Sequence, residues 1–157
     1  MGRSGDGFLT CDDGHVRWGR FGAAGVLFVV RGHDGPEVLV QLRSALAHEG
    51  GTWSCPGGAL DEGETTLEAG LREAAEEVGA PPEPWHLVGE HVFAPAGDWS
   101  YTTAVVEVPR RFGTSANFET DEVRWCRAEE VDRLALHPGF AAAWPHLLGI
   151  VSAGGAG

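Results

Sequence analysis

Lysine is missing altogether from the 157 residues: all 11 basic side chains are arginine, set against 23 acids for a formal net charge of −12. That absence excludes a phosphate-loop lysine and any Schiff-base chemistry. The acidic balance argues against long nucleic acid as a partner, because a surface that tracks phosphates needs clustered bases. Cysteine is scarce as well. Cys11, Cys55 and Cys126 are odd in number, widely spaced and without a C-x-x-C pair, so neither a disulfide framework nor a zinc site is indicated. A reducing, cytoplasmic location is expected. Long apolar runs are lacking too: the longest, Ala23 to Val30, is about eight residues and cannot cross a bilayer. The first twenty residues carry Asp6, Asp12 and Asp13 and no apolar stretch of the secretory-signal kind. If this chain handles phosphates, something other than lysine must neutralise them.

What is present reads as one ordered domain, 43% hydrophobic. Residues 1–20 form an N-terminal extension, residues 21–150 the domain, and the small residues of 151–157 a flexible tail. Gly22 to Arg31 has the apolar character of a buried strand, Gly32 to Pro36 a turn, and Glu37 to Arg43 the returning strand. Cys55-Pro56-Gly57-Gly58 is loop. Thr65 or Thr66 can cap a helix that runs to Val78, where Gly79 and Pro81-Pro82 stop it. Further strands are expected at Leu87–Phe93, Tyr101–Val108 and Glu122–Cys126, with short helices at Glu129–Leu134 and Phe140–Ile150. Phe140 to Trp144 is apolar enough for either core packing or a dimer contact, so a monomer and a homodimer both stay open. Several antiparallel strands around one strongly patterned helix imply an α/β sandwich with a mixed sheet.

That helix carries the chemistry. On a wheel turning about 100° per residue, Glu73, Glu76 and Glu77 share one arc, opposite Leu67, Leu71, Ala74, Ala75 and Val78. Ala69 and Gly70, on the acidic side, are small and leave room above it. Each like-charge pair about 4 Å apart costs roughly 1 kcal/mol in water and about 4 at an effective dielectric of 20. From Asp61 to Glu77 there are seven acids and Arg72 alone to offset them. A hard divalent cation would neutralise the excess, because Mg²⁺ takes carboxylate oxygens and completes its shell with water and substrate phosphates. It would join an anionic substrate to an anionic protein in place of the absent lysine.

The segment resembles the signature of the Nudix hydrolase family (MutT-like), G-x5-E-x7-R-E-U-x-E-E-x-G-U with U apolar. Gly58, Glu64, Arg72, Glu73, Glu76, Glu77 and Gly79 fill its seven fixed positions, while Ala74 and Ala80 are smaller than usual at U. The resemblance implies an α/β/α sandwich with a catalytic loop–helix–loop that binds Mg²⁺ or Mn²⁺. It implies hydrolysis of the pyrophosphate linkage of a small nucleotide, by water attack on phosphorus. By position, Glu73, Glu76 and Glu77 would hold the metal together with the Gly57 carbonyl, and Glu64 would orient Arg72. A further carboxylate shortly before a Trp-containing strand would be Glu119 or Glu122, with Glu119 preferred, as metal ligand or base. Trp53 to Gly58 resembles the strand entering the loop, and Arg43 the end of the strand before it; Arg43, Trp53 and Gly58 are therefore expected at the substrate. Trp99 and Tyr101 fall where a sheet-edge loop could stack on a base. A sensing module that keeps the fold without turnover is the alternative; retention of all three glutamates favours the enzyme. No H-E-x-x-H, His/Cys ligand spacing or nucleophile turn offers a competing chemistry.

Overall fold

The structure, a computed structural model, describes residues 2–45, 49–114 and 120–154. A short hairpin of β1 (Phe8–Thr10) and β2 (Val16–Trp18) precedes the main sheet. The sheet comprises β3 (Ala23–Gly32), β4 (Gly35–Arg43), β5 (Trp53–Ser54), β6 (Gly57–Ala59), β7 (His86–Ala96), β8 (Trp99–Glu107) and β9 (Thr120–Arg127). Its main path runs β5-β4-β3-β8-β7, with β6 paired to β3 and β9 to β4. The β3/β8 pair is parallel and the other pairings of these strands are antiparallel, which makes the sheet mixed as expected.

Two helices cover the sheet. Helix α1 (Thr66–Glu77) lies on one face, against Val26, Phe28, Leu39, Ala104 and Val106; helix α2 (Pro138–Gly154) lies on the other, against Leu27, Val29, Val38, Val40 and Val105. Neighbouring residues of β3 thus go to opposite cores, as the period of two along a strand requires. The whole run Ala23–Val29 is buried because both faces are covered. The result is the α/β/α sandwich that the sequence resemblance implies.

α2 settles what the apolar C-terminal stretch does here. Phe140, Trp144, Leu147 and Val151 recur at helical spacing and all are buried in the core beneath it. The same stripe extends the helix through Gly154, so the expected tail loses its first four residues to α2; residues 155–157 lie outside the described residues. The short helix expected near Glu129 is a 3-10 helix, Ala128–Arg133.

One irregularity positions the site. β3 pairs with β4 only near their shared turn, from Val29 to Gly32, while from Ala23 to Gly25 it pairs with β6. Beyond Val38 that edge of β4 pairs instead with β5, at Gln41 and Leu42, while β9 runs along the other edge from Glu37 to Arg43. The strands therefore splay, and Cys55 to Gly58 enters the gap, with Val26 N–H donating to Pro56 O at 3.0 Å. This gap lies under the C-terminal end of α1.

Candidate active site

α1 begins at a capping box. Thr65 Oγ1 accepts from Glu68 N–H at 3.1 Å, and the Glu68 carboxylate accepts from Thr65 N–H at 2.9 Å. It ends at Val78 and Gly79, whose φ of 108° is one that glycine adopts without penalty. Local chemistry thus fixes both ends of the helix that presents the carboxylates.

The helix sits unusually close to the sheet at one point. A Cβ on Gly70 would lie 2.8 Å from Val26 Cγ2, and Ala69 is fully buried beside Ala24 and Leu60. Here the wheel needs correcting: Ala69 and Gly70 do not leave room above the acidic side but bring α1 down onto β3. Ala75, assigned to the core side, is exposed. The close approach at Ala69 and Gly70 leaves Glu77, 8% exposed, inside the gap between the splayed strands.

Arg72 ties the preceding loop to the helix. Its Nε and Nη2 donate to the two oxygens of Glu64, each at 2.8 Å, and Nη2 also donates to Ala59 O at 3.0 Å. Its Nη1 donates to Glu73 Oε1 at 2.9 Å and lies 3.6 Å from Glu76 Oε1. A fork-on-fork pair of this kind is among the stronger charge-assisted contacts. The hydrogen bond from Arg72 holds the Glu64 carboxyl below the usual carboxylate range, and Glu64 in turn pushes the guanidinium up.

Glu73 behaves in the opposite way. Burial raises its carboxyl first; Arg72 pulls it down, but the charges of Glu76 and Asp6 push it up again, and the net direction is upward. A Cβ on Gly58 would fall 2.6 and 2.8 Å from the two Glu73 oxygens, so glycine is required for the carboxylate to come this close to the loop. Glu77 Oε2 accepts from Gly57 N–H at 2.9 Å, and Oε1 accepts from the Gln41 amide at 3.3 Å. Gln41, 2% exposed on β4, accepts in turn from Thr120 Oγ1 at 3.3 Å.

The donor set suits a hard divalent cation: carboxylate oxygens, one half-buried and one buried, beside main-chain carbonyls in a glycine loop. Among the described residues, no three His, Cys, Asp or Glu side chains are yet gathered tightly enough to hold a metal. The reason is visible: Glu73 and Glu76 lean on Arg72, while Glu77 is turned to Gly57 N–H and Gln41.

The remaining expected residues fall in different places. Glu119 lies outside the described residues. Glu122 is on β9 and pairs with Arg124 at 3.2 Å. Arg43 closes β4 opposite Thr120. Trp53 is 8% exposed in the α2-side core with Arg124 over its ring, so it offers little face to a base. Trp99 sits at the tip of the β7–β8 hairpin, under the Arg17 guanidinium and donating to Trp18 O. It helps line a surface cavity with Phe21, Val92 and Ser100, and no residue of α1 lines that cavity.

Tyr101 needs a correction of place. It is not on a sheet-edge loop but on β8, an inner strand between β3 and β7. Its hydroxyl fills the space where a Cβ of Gly25 or Gly57 would be, 2.5 Å from each, and burial drives its pKa well above the usual phenol value, so it stays protonated. Cys55 is close by: burial and then the Glu77 charge push its thiol up to about 12, so it stays protonated and is no nucleophile. Sequence reasoning missed Gln41 and Asp61. A signal for Gln41 existed, since it is the polar residue in an otherwise apolar Val38–Leu42.

The family model for the NUDIX domain matches residues 19–147, and the chain belongs to the Nudix family. It is a Nudix pyrophosphohydrolase, a hydrolase of nucleotide pyrophosphates. A Mycobacterium tuberculosis protein carrying the name 8-oxo-dGTP diphosphatase 3 is 42% identical over 91% of this chain and 69% of its own length. A Bifidobacterium longum nucleoside triphosphate pyrophosphatase/Nudix hydrolase fusion protein is 36% identical over 90% of this chain, which spans 30% of the fusion. The crystal structure of RenU, a Nudix hydrolase from M. smegmatis, superposes with a TM-score of 0.86 at 37% identity, covering 95% of this chain and 96% of the other. A C. elegans Ap4A hydrolase shares the fold at a TM-score of 0.67 and 18% identity, over 83% of this chain and 98% of its own.

Proposed function

We propose that this chain hydrolyses the pyrophosphate linkage of a small nucleoside triphosphate, with an oxidised purine triphosphate such as 8-oxo-dGTP as the favoured substrate, in a reaction that requires Mg²⁺ or Mn²⁺. The observation that carries the reading is the acidic face of α1, lowered by Gly70 onto the splayed strands so that Glu73 and Glu77 meet the Gly57-Gly58 loop. The names of the M. tuberculosis and B. longum relatives support the substrate class.

Glu73, Glu76, Glu77 and the carbonyl of Gly57 would hold the metal. When bound, it supplies the positive charge that the lysine-free chain lacks, neutralising phosphate and making water more acidic. The protein's own residues do the rest. Arg72 holds Glu73 and Glu76 on one side of the helix, and Glu64 and Ala59 O keep Arg72 from swinging away. Gln41 and Gly57 N–H orient the buried Glu77. A carboxylate of this set, or Glu119, takes the proton of the attacking water. The water oxygen bonds to phosphorus in line with the bridging oxygen, whose bond to phosphorus breaks.

No helix among the described residues is long and apolar enough to cross a membrane. Free Cys11, Cys55 and Cys126 support a cytoplasmic protein, either monomer or homodimer. The deciding experiment is a product-resolved hydrolysis screen over 8-oxo-dGTP, dGTP, ADP-ribose and a dinucleoside polyphosphate, with Mg²⁺, Mn²⁺ or chelator. The expected result is metal-dependent turnover that is fastest on 8-oxo-dGTP. Turnover in chelator, or none on any substrate, would overturn the reading.

A further inference from the structure

Residues ahead of the matched family span reach into the site. Gly5 is buried, its N–H donates to Asp61 Oδ1 at 2.9 Å, and its carbonyl accepts from Arg20 N–H at 2.9 Å. Arg3 O accepts from Glu62 N–H at 2.8 Å, and Arg3 Nε donates to Glu62 Oε2 at 2.6 Å. A Cβ at Gly2 or Gly5 would overlap the carbonyl oxygen of Glu62 or Leu60. Residues 2–5 are thus a strap laid in backbone contact along Leu60–Glu62. The Arg3–Glu62 ion pair is exposed and worth little by itself. The main-chain bonds and the close glycine approach hold the strap.

Asp61 connects the strap to the chemistry. While Oδ1 takes the Gly5 N–H, Oδ2 stands 3.6 Å from Arg72 Nη2, and the Asp61 N–H donates to Glu64 Oε1 at 2.8 Å. Arg72 then donates to Glu73. With Glu64, Glu73 and Glu76, Asp61 is therefore a fourth carboxylate within reach of one guanidinium, restrained from full contact by a hydrogen bond to the strap. Released from it, Asp61 would compete with Glu64 and Glu73 for the same donors.

We propose that residues 2–5 are a positioning element of the active site, which restrains Asp61 so that Arg72 orients Glu73. The proposal rests on the reading of Glu73 as a metal-holding carboxylate.

The test compares Gly5→Ala, and a chain lacking residues 2–5, with wild type. Expected for both are a kcat lowered about tenfold with a nucleotide KM within about twofold, as for misplaced but unremoved catalytic groups. Mn²⁺ binding to the nucleotide-free protein, read by electron paramagnetic resonance, should weaken about tenfold, the usual scale for residues that orient metal ligands. Adding Asp61→Asn to Gly5→Ala should restore kcat and Mn²⁺ binding several-fold, since the uncharged amide no longer competes for Arg72; a merely structural strap would show no such rescue. Unchanged kcat and Mn²⁺ binding in both strap variants, or no relief from Asp61→Asn, overturns the proposal. Full activity of Glu73→Gln overturns instead the site reading on which it rests.

Discussion

α1 and α2 grip opposite faces of one sheet by opposite means. α1 packs through Ala69, Gly70 and Ala74, with Leu67 and Leu71 at its margin, and carries Glu68, Arg72, Glu73, Glu76 and Glu77 in twelve residues. α2 packs through Phe140, Trp144, Leu147 and Val151 and has neither acid nor arginine in seventeen. Small residues bury little area and so contribute little at roughly 25 cal/mol per Å² buried, but they let a helix come close. Large ones bury much and hold it away. α2 therefore supplies stability, while α1 trades apolar area for a short, polar-braced distance between its carboxylates and the Gly57-Gly58 loop. The division implies that changes on α1 should cost activity and changes on α2 should cost stability.

The sharpest test of that division is Glu77→Gln. The amide keeps an acceptor for Gly57 N–H but loses the charge, so kcat should fall by roughly a thousandfold, about 4 kcal/mol of transition-state stabilisation, with folding nearly unchanged. Steady-state kinetics beside a urea melt reads both; equal activity would sink the metal-site assignment. Next in size is Trp144→Ala on α2, which should destabilise by about 3 to 4 kcal/mol through the cavity it leaves, while the folded fraction keeps wild-type kcat. A kcat loss per folded molecule there would break the comparison.

Gly70→Ala probes the place where the two roles meet. The added methyl would press on Val26 Cγ2 at 2.8 Å and on Gly25 O at 3.3 Å. Lifting α1 should cost about 1 to 2 kcal/mol, as overpacking does, and should lower kcat as well because Glu73 leaves the Gly58 loop. The compensating change is Val26→Ala, which removes the opposing methyl groups. If the double variant regains kcat, closeness and not glycine itself is what the site needs.

How much of this was readable in advance follows the distance of the contacts along the chain. α1 was readable because its determinants are local: the Thr65 cap, the spacing of Glu73, Glu76 and Glu77, and the stop at Gly79. The strands β3 and β8 were readable from their β-branched, apolar runs. What pairing decides was not. Tyr101 opens an expected strand, but its place away from any edge follows from β8 pairing between β3 and β7; Trp53 is withdrawn from a base by burial in the α2-side core and by Arg124 over its ring. The Gln41–Glu77 bond and the strap on Asp61 join residues 36 and 56 positions apart, and no local propensity encodes such a meeting. The wheel misplaced Ala69 and Gly70 for a related reason: it orders side chains around an axis but does not say how the axis lies on the sheet.

The smallest effect concerns protons, and it separates neighbours within α1's own network from anything on α2. Arg72 lowers Glu64, whereas burial and the surrounding charges raise Glu73, both from an ordinary value of 4.5. In metal-free protein, carboxyl carbon shifts followed by NMR should therefore show Glu73 titrating above 4.5 and Glu64 below it. The signs carry into stability. Glu64 favours the folded state above 4.5, and that contribution is lost as pH falls through its lowered folded value. Glu73 does the reverse: charged and buried, it weighs against folding at neutral pH, and the penalty fades as pH falls through its raised value toward 4.5. The urea midpoint of Glu73→Gln should thus exceed wild type at pH 7 once the hydrogen bond from Arg72 is accounted for by the Glu73→Gln, Arg72→Ala pair, and the two should converge near 4.5. On the α2 side His91, stacked on His146 at 4.5 Å and lowered chiefly by burial, should titrate below 6.5 and be indifferent to either glutamate. If Glu64 and Glu73 titrate together, Arg72 does not discriminate between them, and the polar brace that distinguishes α1 from α2 is not what holds the site.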